Sequence, residues 1–137
     1  MLQERPSDTA AKLLDTAASI LTANGFELVT NDKRLFPSLR PDLAALKGGL
    51  LLVFAVKAFS AMGQFLTASE MNDIRQELDR VVAKNNPSKD PRVKRVQPAA
   101  LVMTPEDVVV HSEESDIQWL VVRDYDQLPE QMDRVLP

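Results

Sequence analysis

Pro41-Asp42-Leu43-Ala44-Ala45-Leu46-Lys47-Gly48-Gly49-Leu50-Leu51-Leu52-Val53-Phe54-Ala55-Val56-Lys57 places two apolar runs on either side of a glycine pair. Gly-Gly supplies the positive φ angles that a two-residue hairpin needs. Pro41–Leu46 and Leu50–Lys57 are therefore predicted to be strands joined by a tight turn at Lys47-Gly48-Gly49. Leu50 to Val56 is apolar at every position, so both faces of that strand should be covered. Periodicity alone also admits a helix here, but the short run and the flanking glycines favour a strand.

Working outward, residues 7–24 read as an amphipathic helix. Leu13, Leu14, Ala17, Ile20 and Leu21 recur at helical spacing, with Ser7 as N-cap and Gly25 as the stop. Phe26–Thr30 is β-prone and ends at Asn31-Asp32. Downstream, Ser69–Lys84 is predicted as a second helix. Thr67-Ala68-Ser69-Glu70 matches a capping box, and Met71, Ile74, Leu78, Val81 and Val82 form its apolar stripe. Ala99–Met103, Val108–His111 and Ile117–Val122 are further strands, and Asp126 caps a last helix over Gln127–Leu136. The series is helix, three strands, helix, strands, helix: a mixed α/β fold.

Composition narrows the chemistry. A length of 137 residues fits a single domain, 1–137, and 45% hydrophobic with 26% charged residues is enough for a folded core. The absence of Cys removes disulfides, thiolate nucleophiles and Cys-built zinc sites, and suits a reducing cytosol. One His, His111, excludes multi-His metal sites. No secretory signal is read at Met1–Pro6, and the longest apolar run has seven residues where a membrane helix needs about 20. A cytoplasmic protein with no membrane partner is expected. The net charge of −4 argues against a strongly basic nucleic-acid coat protein. Charge is nonetheless uneven. Residues 84–95 hold five basic side chains against one acid, and residues 106–133 hold nine acids against Arg123.

Gly25-Phe26 closing the first helix, Arg40-Pro41-Asp42-Leu43 opening a strand and Phe54-Ala55-Val56-Lys57 ending the next resemble the PD-(D/E)XK, or restriction-endonuclease-like, nuclease superfamily. Holliday-junction-resolvase-like and NERD domains are the nearest shapes. The likeness spans residues 7–103, while the tail, 104–137, with Asp126-Gln127-Leu128-Pro129, is similar in style to the end of NERD domains. The resemblance implies a core of helix, three-stranded meander, helix and strand. It also implies a magnesium site in which Asp42 is one ligand and Lys57 the catalytic ammonium group. Magnesium takes hard oxygen ligands, commonly one or two carboxylates plus water and phosphate, and polarises the phosphodiester. A neighbouring Lys orients water and stabilises developing charge.

The family carries Asp or Glu two positions before that Lys. Here Ala55 stands there, and a methyl group binds no metal. The expectation is a degenerate nuclease-fold module, without catalysis, that binds nucleic acid or a protein partner and needs no cofactor. The alternative is a resolvase-like, Mg2+-dependent endonuclease whose second carboxylate has moved to Glu70, Asp73 or Asp15. A third reading is a protein-interaction domain with only an architectural likeness. Each relocated acid also has a structural explanation: a capping box for Glu70, the helix dipole for Asp73, solvent for Asp15. Asp42 and Lys57 read equally as a strand-to-strand ion pair. A basic rim of Lys47, Lys57, Lys84, Lys89, Arg92, Lys94 and Arg95 is expected to contact phosphates, whereas Arg34 and Arg40 before the hairpin read first as solvated loop arginines and only second as phosphate contacts. Gln64 is a candidate site amide, His111 a strand-end residue and Trp119 a core anchor. Resolvase-like relatives imply a homodimer, although no residue here requires one.

Overall fold

The computed structural model describes residues 6–59, 68–104 and 117–137. Thr67 of the capping box, Gln64, the strand expected at Val108–His111 and the acids Glu106, Asp107, Glu113, Glu114 and Asp116 lie outside the described residues. The hairpin forms as the glycine pair requires. Gly48 and Gly49 have φ values of 57° and 88° and turn β2 (Leu43–Lys47) into β3 (Leu50–Ala58). The two pair antiparallel from Leu43↔Phe54 to Lys47↔Leu50. Lys47 thus belongs to the strand, and Pro41 and Asp42 precede it.

Helix α1 (Pro6–Ala23) comes first and ends at Gly25, with φ 85°. It starts at Pro6, one residue before the expected N-cap position. The expected strand over Phe26–Thr30 shrinks to β1 (Glu27–Leu28), because the chain leaves the sheet once Val29 N–H has donated to the Ala44 carbonyl. After β3, helix α2 (Ala68–Asn85) crosses back and β4 (Arg95–Met103) runs parallel to β3. Strand β5 (Gln118–Val122) pairs parallel with β4 from Ala99 to Met103. The result is a five-stranded mixed sheet in the order β1-β2-β3-β4-β5. Strand β4 begins four residues earlier than its apolar run suggested, with Pro98 inside it. Pro98 is tolerated because β5 pairing starts at Ala99, so only β3 flanks the strand there. The chain closes with helix α3 (Leu128–Met132) after a single 3-10 turn at Tyr125–Gln127. Asp124, rather than Asp126, caps that turn by accepting the Asp126 N–H.

Alternation along β3 divides the core. Leu52, Phe54 and Val56 face α1 and α3, meeting Leu13, Ala17, Leu21, Leu128 and Met132. Leu51, Val53 and Ala55 face α2, meeting Ile74, Leu78 and Val81. Leu35 and Phe36, from the β1–β2 connection, pack on the α2 side. Trp119 is 2% exposed and anchors that same face from β5. No helix among the described residues is long and apolar enough to cross a membrane.

Candidate active site and basic groove

Asp42 immediately precedes β2, in which Ala44 and Leu46 face α2; a period of two sets Asp42 on the same face. Lys57 follows Val53 and Ala55 on that face of β3. The hairpin register therefore brings the two side chains to one end of the sheet. Asp42 Oδ2 accepts the Val56 N–H at 2.9 Å, which fixes its carboxylate over the end of β3. Lys57 Nζ lies 3.7 Å from the same oxygen.

A second carboxylate completes the cluster from α2. Glu77 Oε2 lies 3.0 Å from Lys57 Nζ and Oε1 accepts from it at 3.2 Å. The three side chains are about one-third exposed, at 34% for Asp42, 35% for Lys57 and 42% for Glu77, so the cluster opens to solvent. Burial by itself would lower the Lys57 pKa, but the hydrogen bond to Glu77 and the charges of Asp42 and Glu77 outweigh it, and the net shift is upward. Lys57 is a cation at neutral pH.

Ala55 is 2% exposed and belongs to the apolar layer under α2. The acids considered in its place stand elsewhere. Glu70 and Asp73 are two turns and one turn before Glu77 on α2. Asp15 is exposed on α1, across the sheet from Lys57. Glu77 leaves only a weak signal in the sequence. It borders the buried stripe between Ile74 and Leu78, where a long side chain leans toward the sheet. Among the described residues no group of three or more acidic or metal-binding side chains forms a metal cage. Two carboxylates are still within the donor set magnesium uses when water and phosphate supply the rest.

The basic residues do not form one rim. Lys57 and the hairpin turn sit at opposite ends of β3, about 23 Å apart at strand rise. At the turn end, Lys47 donates to the Asn24 carbonyl at 2.6 Å, closing the C-terminus of α1, and its ammonium sits 5.7 Å from the Phe26 ring centroid. Lys94 packs its stem over Gly49, and Arg95 donates to Gln97 at 3.2 Å. Arg92 is consumed by two acids, Asp90 at 2.8 Å and Asp32 at 3.1 Å, which tie the 87–93 turn to the β1–β2 connection. The Arg92 guanidinium holds the Asp90 carboxyl at about 2 and lowers that of Asp32, and these acids raise Arg92 in return. Arg40 donates to Asn31 at 3.1 Å. Lys84 and Lys89 remain exposed and line an open groove of about 560 Å³ with Arg34 and Pro37.

Comparison of the chain with family models, with curated proteins and with solved structures gave no match, so the functional reading rests on the chemistry of these side chains.

Proposed function

We propose that Asp42, Lys57 and Glu77 form a magnesium-dependent phosphodiester-cleaving site acting on nucleic acid, in which α2 supplies the carboxylate that PD-(D/E)XK-like nucleases carry at the position of Ala55. The observation that supports this reading is the convergence of two carboxylates from different elements on one lysine ammonium. Asp42 and Glu77 would hold the ion. When bound, magnesium supplies a Lewis acid that polarises the phosphodiester and lowers the pKa of water. Lys57, cationic and half-buried, would orient water and stabilise negative charge gathering on phosphoryl oxygens. The Val56 N–H keeps Asp42 in place without help from the ion.

The test is incubation of the purified protein with supercoiled, branched and single-stranded DNA and with RNA, in magnesium and in manganese. Cleavage is expected, and is expected to vanish in Asp42→Asn and in Glu77→Gln. No cleavage by the parent, or equal cleavage by the variants, overturns the proposal. A second reading, a non-catalytic module that binds nucleic acid or protein, is favoured by the apolar packing of Ala55. It predicts binding without cleavage.

A further inference from the structure

The groove lined by Arg34, Lys84 and Lys89 has no part in the chemistry above, yet it shares two of that site's three supporting elements, α2 and the β1–β2 connection. Helix α2 carries Glu77 and, seven residues on, Lys84. Seven residues are two turns, so both side chains leave the same side of the helix about 10 Å apart along its axis. The β1–β2 connection carries Arg34 and ends at Asp42. Asn85 ties the connection to α2: its Oδ1 accepts the Ser38 and Leu39 N–H groups at 2.8 and 3.0 Å, and its Nδ2 donates to the Leu39 and Val81 carbonyls at 2.6 and 2.8 Å. Groove and cluster are thus held in fixed relation.

The charge balance in the groove is positive. Asp90 is its one acid, and Arg92 neutralises it with a two-pronged contact. Among the described residues, none of Arg34, Lys84 and Lys89 forms a salt bridge. The C-terminus of α2 brings about half a negative charge to the same place. Three cations exceed it.

We infer that this groove is a phosphate-binding subsite that holds the nucleic-acid strand beside the bond placed at Lys57, about 10 Å farther along α2. The inference rests on the reading of nucleic acid as substrate. It gives the strand a direction, along α2 from Glu77 to Lys84. Lys47, Arg92, Lys94 and Arg95 fall outside the contact.

Fluorescence anisotropy with labelled single-stranded and duplex oligonucleotides, in EDTA so that no cleavage occurs, tests the subsite. Arg34→Glu/Lys84→Glu/Lys89→Glu is compared with Lys94→Glu/Arg95→Glu, and thermal melting checks that both are folded. The groove variant should lose at least about tenfold in affinity, and its salt slope should fall by about 2, near 0.7 to 0.9 for each phosphate contact removed. The control should bind within about twofold of the parent. Equal losses in both variants, no loss in the groove variant, or no oligonucleotide binding by the parent overturns the subsite. So does displacement of the oligonucleotide by poly-glutamate at lower concentration than by unlabelled oligonucleotide, which marks an acidic protein as the occupant. Groove-dependent binding without cleavage would refute the catalytic proposal alone, and cleavage unaffected by the groove variant would refute the subsite alone.

Discussion

Moving the acid between α2 and β3 separates a metal site from a structural ion pair. Glu77 is 42% exposed and Lys57 35%, and a pair that open contributes about 0–1 kcal/mol. Glu77→Gln should therefore change the folding free energy by no more than about 1 kcal/mol, a few degrees in melting temperature for a chain of this size. Metal affinity responds on a larger scale. Even unit charges 4 Å apart in an effective dielectric of 20 interact by about 4 kcal/mol, a lower bound for a divalent ion touching the carboxylate. Water filling the vacated ligand position recovers about half of that, which leaves a loss near 2 kcal/mol, or roughly thirtyfold in affinity. The second arm is Ala55→Glu combined with Glu77→Ala. Position 55 is 2% exposed, so the larger side chain should cost about 1–3 kcal/mol by overpacking. Because residue 55 shares its face with Lys57, the new carboxylate should recover manganese affinity relative to Glu77→Gln. Manganese should then raise the melting temperature of the double variant, since a ligand that binds only the folded state stabilises it. Titration calorimetry with manganese and thermal melts with and without the ion provide the readout. Failure of the parent to bind manganese, or a Glu77→Gln variant that binds as tightly as the parent, refutes the reasoning.

Two further outcomes concern the fold. Phe54 is fully buried on the α1 side of the sheet, and Phe54→Ala should lower stability by about 3–5 kcal/mol in urea unfolding, with manganese unable to restore it. The Asp90–Arg92–Asp32 cluster should be acid-sensitive. The folded-state pKa of Asp90 is about 2 against an ordinary 3.8, so its stabilisation is present above the ordinary value and is lost as pH falls through about 2; Asp32 is shifted in the same direction. The melting-temperature difference between the parent and Arg92→Ala should therefore shrink between pH 4 and pH 2, and a constant difference would count against the cluster.

Local patterns in the chain carried the hairpin, both long helices and the double-sided burial of β3, because each rests on a signal within one segment: a Gly pair, a 3.6-residue stripe, an uninterrupted apolar run. The nearness of Asp42 and Lys57 was legible because Asp42 directly precedes, and Lys57 lies on, the two strands that the hairpin forces together. What failed to show locally depends on partners far away in sequence. Arg92 reads as one more loop cation until Asp32, sixty residues earlier, comes within 3.1 Å. Lys47 reads as part of a basic rim until α1 ends beside it and presents the Asn24 carbonyl. Glu77 reads as an ordinary helix-border acid because nothing in α2 itself reveals the angle at which the helix crosses Lys57.

The alanine at position 55 and the placement of Glu77 are two sides of one packing solution. The α2 face of the sheet presents an alanine from each of three neighbouring strands: Ala44 on β2, Ala55 on β3 and Ala100 on β4. Ala55 and Ala100 are direct partners in the parallel register. Small side chains across three strands let the helix settle close to the backbone, where Ile74, Leu78 and Val81 fill the remaining space. A carboxylate added at position 55 would meet this layer with its charge stripped of water, at a cost that only a bound ion or a partner cation offsets. The same close approach brings Glu77 within 3.0 Å of Lys57 while leaving it 42% exposed, so its charge keeps much of its hydration. An acid on the helix border thus gives the lysine a carboxylate partner without burying a charge between helix and sheet, and the packing that excludes the acid from β3 is what delivers one from α2.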